Sequence, residues 1–450
     1  MNRAVMWTAA VLVAALATFD AAAADLQVED TGGRPSRRKI TITSPGVYRA
    51  EVWQASGGGL NRFYDLAADP EGKTNLAEPG RGLFEIGWHG RGFKGPDRED
   101  CCAKHLLNKK RFVEDKKTGK TVRDTCYDGC GDWPSMGHQD LARVHKDPKI
   151  MGELEVIEKS PARVRIRAKA PLVWWSKYVH KHVIATGTYT FYPSGRIVIQ
   201  VRMQNTGAID HTFHWSGEYG PHLFVPGSDK KPEVDLGFVW STPKQEKFNR
   251  APRPSEELVV ATSEKVKTSF LLTIPTEAHK LFSTHMRHNG RSIGWDRCGY
   301  GSGGVDMPPG YDDTWACMIQ MGSAGSKLAP EIRIPKDALP YAMQYREPAK
   351  ITGATLVKDD PGDLNKDGYN ESEGCHVLGG PGPLSLTYEK GKGAGFAPVF
   401  KVTGWKGDAP KAVKIDGEEV DAAAGIVDGA VILQVLGRIE APKARVAISN

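Results

Sequence analysis

Seven residues able to bind or transform a polar ligand crowd into one short stretch: Asp210, His211, His214, Trp215, Glu218, Tyr219 and His222. His, Glu and Tyr are the side chains that general acid–base chemistry near neutral pH employs, because burial or a neighbouring charge can tune each of them. A tryptophan among them offers a flat surface on which a sugar ring stacks. Three further histidine-bearing stretches are candidates to converge on this cluster: Trp88-His89-Gly90-Arg91, residues 133–140 with His138, and His285-Met-Arg287-His288-Asn289, which precedes a glycine-rich stretch at 299–304 containing Tyr300. His214, Tyr219, His138, Glu218 and His211 are the candidate catalytic groups. His89, Arg91, Trp215, His222, Arg287, His288 and Tyr300 are the candidate substrate contacts.

β-Elimination of a uronate-containing polymer makes demands that this set meets. A cation must neutralise the uronate carboxylate so that charge developing at C5 is tolerated, and Arg91, Arg287 or a nearby lysine serves. A base takes the C5 proton and an acid protonates the leaving oxygen, roles open to His138, His214 and Tyr219. Hydrolysis instead needs two opposed carboxylates, and beside the histidines only Glu218 and Asp210 are conspicuous. The same residues also suit a run of hydrogen-bonded polar groups at the end of a sheet.

A second motif is more specific. Asp363-Leu-Asn365-Lys-Asp367-Gly368-Tyr369-Asn-Glu371 has oxygen ligands at positions 1, 3 and 5 and glycine at 6, as calcium loops do. Position 7 offers the Tyr369 carbonyl and position 9 Glu371. Position 12 is Gly374 rather than glutamate, so this is no EF-hand, and Glu371 or Glu373 must close the site. Calcium in a structural role is expected.

The elements around these groups read as strands. Residues 40–43 and 48–54 flank Pro45-Gly46; residues 151–159 and 162–169 flank Ser160-Pro161, with Arg163, Arg165 and Arg167 alternating against Val164 and Ile166. Residues 182–192 and 197–204 form the clearest hairpin, around Pro193-Ser194-Gly195. Strands are expected again at 257–261 and 269–274, with residues 226–257 and 359–382 as loops. The best helical candidate is 103–112. The expected class is all-β: a large antiparallel β-supersandwich over 25–390, with a cysteine-rich insertion at 98–145 and the calcium loop at 359–375. After a glycine-rich break near 390–395, a small C-terminal β-sandwich follows over 395–450.

The early segment Tyr48-Arg-Ala-Glu-Val-Trp, then Gly57-Gly-Gly-Leu-Asn-Arg-Phe-Tyr-Asp65 and Thr74-Asn-Leu76, resembles the opening of the galactose mutarotase-like β-supersandwich superfamily. The hairpin 188–205 and the sequel Asp210-His-Thr-Phe-His-Trp215 are similar to its central sheet, where aldose epimerases place a histidine just after a strand ending in asparagine. The resemblance covers residues 40 to 345. The run keeps the histidine and an aromatic and lacks the rest of the epimerase pattern, including its later glutamate. Polysaccharide lyases and glycosidase domains use the same architecture, so the resemblance implies a carbohydrate ligand without choosing the reaction.

Composition and targeting narrow the partner. The first 24 residues, with Arg3, an apolar run and Ala22-Ala23-Ala24, have the form of a signal peptide, so a secreted or periplasmic protein is expected, not embedded in a membrane. Net charge is +6, too slight for a nucleic-acid binder. The basic residues cluster at Arg34, Arg37, Arg38 and Lys39 and again over 104–120, which suits an acidic polysaccharide or a solvated basic face. Export also favours disulfides among the seven cysteines: two bridges within Cys101, Cys102, Cys126 and Cys130, a Cys298–Cys317 loop, and Cys375 odd. Zinc on Cys126, Cys130, His138 and His145 is the competing use. Function is expected to be a lyase on an acidic glycan. The alternatives are a hydrolase or epimerase of this fold and a non-catalytic glycan-binding protein.

Overall fold

A computed structural model describes residues 25–77, 82–89, 112–114, 121–123, 152–174, 178–208, 211–213, 218–224, 236–241, 258–263, 266–276, 283–287, 292–296, 305–333 and 335–450. The alternating segments become strands, and the architecture is all-β. One eight-stranded antiparallel sheet runs in the spatial order Gln27–Asp30, Lys39–Ser44, Tyr48–Trp53, Gly59–Asp65, Phe84–His89, Glu218–Phe224, Ser292–Asp296, Ser283–Arg287. A second runs Leu236–Ser241, Leu258–Ser263, Thr268–Thr273, Asp312–Ser323, Arg196–Asn205, Tyr178–Phe191, Val164–Trp174, Glu153–Lys159. Ile40, Ile42 and Val52 of the first sheet meet Ile166, Val183, Ile199 and Phe270 of the second in one apolar core, which makes the pair a sandwich.

The hairpin expected at 182–204 pairs Phe191 with Ile197 and continues to Val183 with Asn205. Its return strand alternates between two cores. Ile197, Ile199 and Val201 face the first sheet, while Val198 faces a second cluster outside the sandwich with Val260, Leu271 and Met318. That second cluster is covered by the helix Pro335–Arg346, which the strand-dominated sequence pattern did not suggest. Pro335 and Asp337 suit a first turn and Arg346 a last one. Pro340 removes an interior donor, but Ala338, Tyr341, Ala342 and Tyr345 form a buried stripe at helical spacing that offsets it. Leu236–Ser241 likewise corrects part of the loop expected at 226–257, and Tyr369–Asn370 and Cys375–Gly379 part of that at 359–382. The candidate helix 103–112 lies outside the described residues, apart from Phe112, which opens a short strand.

From Lys350 onward the strands pair only among themselves, in a five-stranded and a six-stranded sheet. Leu386, Phe400, Val431 and Val446 fill the core between them. The C-terminal sandwich therefore starts at Lys350 rather than 395 and contains the acidic loop. The break at 390–395 merely joins Leu384–Glu389 to Val399–Thr403.

A buried ion cluster joins the two sandwiches. Arg163 donates to both carboxylate oxygens of Glu158 and, from Nη1, to Glu373 Oε2 at 2.7 Å. Arg165 Nη1 lies 3.0 Å from Glu373 Oε1, and Lys401 Nζ lies 3.5 Å from Glu373 and 2.8 Å from Asp360. The three arginines that alternate with Val164 and Ile166 thus differ sharply. Arg163 is 2% exposed and consumed by this cluster, Arg165, half-buried, serves it too, and Arg167 is exposed, paired with Glu155.

Candidate functional site

The strand Glu218–Phe224 carries three candidate residues, and its neighbours carry more. On one side it pairs with Phe84–His89, setting Glu218 opposite His89, Tyr219 opposite Trp88 and His222 opposite Glu85. On the other side His222 stands opposite Gly294, and Gly294 stands opposite His285, two positions from Arg287. Glu85, His222, Gly294 and His285 therefore form one cross-strand row. Three of the four histidine-bearing stretches meet on adjacent strands of a single sheet. Glu85 escaped sequence reasoning, because nothing local announces that its strand pairs with Glu218–Phe224.

His211 sits apart, in the two-stranded ribbon His211–Phe213 with Val305–Met307, opposite Met307. The ribbon is tied to the second sheet where its strand ends in asparagine: Asn205, 1% exposed, donates Nδ2 to the Met307 carbonyl at 2.8 Å. His138, Arg91, His214, Trp215, His288 and Tyr300 lie outside the described residues, as do Cys101, Cys102, Cys126, Cys130, Cys298 and the zinc candidate His145. Cys317 is a free, fully buried thiol in the sandwich core, which overturns the Cys298–Cys317 bridge. Cys375 is also free and buried.

The acidic loop is fully described. Carboxylate oxygens of Asp363, Asp367 and Glu371 lie within 4.8 Å of one another. The backbone winds around Asp363, whose carboxylate accepts from the N–H of Lys366 at 2.6 Å and of Gly368 at 2.8 Å. Asn365 Oδ1 accepts from Asp367 N–H at 3.0 Å, Asp367 from Tyr369 N–H at 2.7 Å, and Glu371 Oε2 from Leu364 N–H at 2.7 Å. Gly368 takes the left-handed φ of +95° that position 6 of such a loop requires. Burial, with the nearby Asp367 and Asp363 charges adding to it, lifts the Glu371 carboxyl to about 8. The Tyr369 side chain turns inward against His376, leaving only its carbonyl to serve as a ligand. Glu373 is not part of this group. Burial alone would raise its carboxyl, but Arg163, Arg165 and Lys401 outweigh burial and hold it down at about 2.

No family model matches the sequence, and no curated protein matches it. Among solved structures the chain is similar to the galactose 1-epimerase of Lactobacillus acidophilus NCFM (8% identity, 66% of this chain and 98% of that one, TM-score 0.32). It is also similar to the aldose epimerase homologue of C. elegans (9% identity, 66% and 99%, TM-score 0.31). A third likeness, to the GH36 alpha-galactosidase AgaA of Geobacillus stearothermophilus, has 8% identity, covers 40% and 27%, and has a TM-score of 0.26.

Proposed function

We propose that this is an exported carbohydrate-active enzyme that cleaves an acidic, uronate-containing glycan by β-elimination. The observation that carries the reading is the strand register that gathers His89, Glu218, His222, His285 and Arg287 onto one face of four adjacent strands, with Tyr219, opposite Trp88, on the other face. Arg287, with Arg91, would neutralise the uronate carboxylate. His222, or one of the neighbouring His89 and His285, would take the C5 proton, and a second of these groups would return a proton to the departing oxygen as the C4–O bond breaks. Hydrolysis fits less well. Glu85 and Glu218 stand four register positions apart, roughly 13 Å along an extended strand, wider than the roughly 6.5–9.5 Å of inverting carboxylate pairs. The Asp363, Asn365, Asp367 and Glu371 loop would hold calcium in a structural role, with the Tyr369 carbonyl as a further ligand.

The test is incubation with a panel of uronate polysaccharides while following the ultraviolet absorbance of an unsaturated product. Absorbance should rise on at least one, and His222→Ala and His285→Ala should each slow it by about 10²–10⁴-fold at unchanged melting temperature, while Tyr219→Phe, on the opposite face, should not. Tight binding without any rise would make the protein a non-catalytic glycan binder.

A further inference from the structure

The outer surface of the first sheet carries a cavity that none of this chemistry uses. It is a half-open depression of about 310 Å³ between the turn at 34–38 and the first strands, lined chiefly by Arg37, Arg38, Lys39, Trp53 and Arg62, and its volume falls within the roughly 300–1,000 Å³ of small-molecule sites. Cross-strand pairing makes the cluster: Lys39 lies opposite Trp53, and Glu51 opposite Arg62.

The charges do not balance. Two carboxylates pair directly with three of the four cations, and a third, Glu155, acts on Arg38 from its own ion pair with Arg167. Asp30 is taken by Arg38, at 3.1 Å to Nε and 2.8 Å to Nη2. Glu51, 5% exposed, accepts from Lys39 Nζ at 3.0 Å and from the Trp53 indole N–H at 2.9 Å, with Arg62 Nε at 3.8 Å. Arg37 is exposed and has no ion pair among the described residues. The lining itself holds four cations and no carboxylate. Its indole is already fixed: the N–H is committed to Glu51 and the Arg62 guanidinium stands 5.1 Å from the ring centroid.

We propose that this cavity binds an anionic pyranose, a uronate residue, whose carboxylate is received by Arg37 and Arg62 while its ring lies against Trp53. An inorganic anion would need the cations alone. A held aromatic ring beside surplus guanidinium groups, in a space far larger than one ion, matches a sugar that carries an acid. The choice of a uronate rests on the acidic-glycan reading above. The cavity lies on the same sheet as the histidine-bearing strands, three strand steps from Glu218–Phe224, or roughly 14 Å. A polymer held here would be retained next to the candidate site.

The test is ligand-detected NMR titration of the full chain with sodium glucuronate, glucose and sodium sulfate, on the wild type, Arg37→Gln and Trp53→Ala. Glucuronate should bind at least tenfold more tightly than glucose, and each substitution should weaken it tenfold or more. Arg37 is exposed, so its replacement should leave the melting temperature unchanged. Absence of glucuronate binding, affinity unchanged in Arg37→Gln, or sulfate binding as tight as glucuronate would overturn the proposal. Failure of the lyase reading looks different: no polymer is cleaved, yet glucuronate binding is lost in Arg37→Gln. Polymer cleavage with glucuronate binding untouched by both substitutions would sink the cavity and spare the lyase.

Discussion

Replacing Arg163 by methionine should destabilise the protein by about 3–5 kcal/mol at neutral pH, the usual cost of stranding a buried charge. The cluster holds three cations (Arg163, Arg165, Lys401) against three carboxylates (Glu158, Glu373, Asp360). Removing Arg163 leaves Glu158 with only Arg165, 3.8 Å away. The pH profile supplies an independent magnitude. Glu373 is held at about 2 against an ordinary 4.5, which corresponds to about 3 kcal/mol at roughly 1.4 kcal/mol per pH unit. Because the folded value is depressed, that stabilisation is complete above pH 4.5 and is lost as pH falls toward 2. Urea unfolding followed by circular dichroism from neutral pH down to acid should therefore show wild type and Arg163→Met far apart at neutral pH and converging in acid, where the carboxylates are neutral in both. The double variant Arg163→Met/Glu373→Gln should recover part of the loss. A neutral-pH difference below about 0.5 kcal/mol, or a gap that does not change with pH, would refute the cluster's role.

Two further outcomes follow from the burial of particular groups. Burial raises the Cys317 thiol and pushes Cys375 up to about 12, with Glu373 adding to the second; iodoacetamide near neutral pH should modify neither in the native protein and both in urea, and native labelling of either at the rate of free cysteine would contradict their placement. Chelation of calcium, or Asp363→Ala, should lower thermal stability, by about 2.7 kcal/mol relative to calcium at 100 times its dissociation constant. An identical melting temperature in chelator and in excess calcium would remove the metal from the loop.

The strands were legible where local chemistry decides them. The hairpin around Pro193-Ser194-Gly195 is announced by its turn and its β-branched flanks. Continuous apolar runs such as Leu258-Val259-Val260-Ala261 marked strands whose sheet is covered on both faces, as the two cores confirm. What the sequence hid are pairings between distant segments. Arg163 alternates with Val164 as a surface arginine would, and only Glu373, 210 residues away, makes it a core residue. Glu373 has the right type and position to close a metal loop, and the same long-range contact takes it away. The helix stripe was present at 338, 341, 342 and 345, but Pro340 masks it to any reading that treats proline as a stop. Glu85 becomes a candidate only through its register with His222.

The acidic loop and the histidine-bearing strands lie on opposite sides of the large sandwich, and that separation assigns them different work. The segment following the loop is pressed onto the outer surface of the second sheet and its helix. Tyr345 Oη donates to the Glu371 carbonyl at 2.6 Å, Gln200 Nε2 to Ser372 Oγ at 3.0 Å, and Tyr192 Oη to the Glu373 carbonyl. A Cβ on Gly374 would come within 2.7 Å of Val198, so the contact tolerates no side chain there. The candidate strands belong to the first sheet, with the sandwich core between. A cation held by Asp363, Asp367 and Glu371 would therefore act on how firmly the C-terminal sandwich is docked, through the backbone of residues 371–374, and not on the proton transfer proposed for the first sheet. Under the proposed reading, calcium removal should lower the melting temperature while leaving the rate of the proposed elimination by the still-folded protein unchanged. A rate that falls with chelation below the melting transition would place the metal in the chemistry instead.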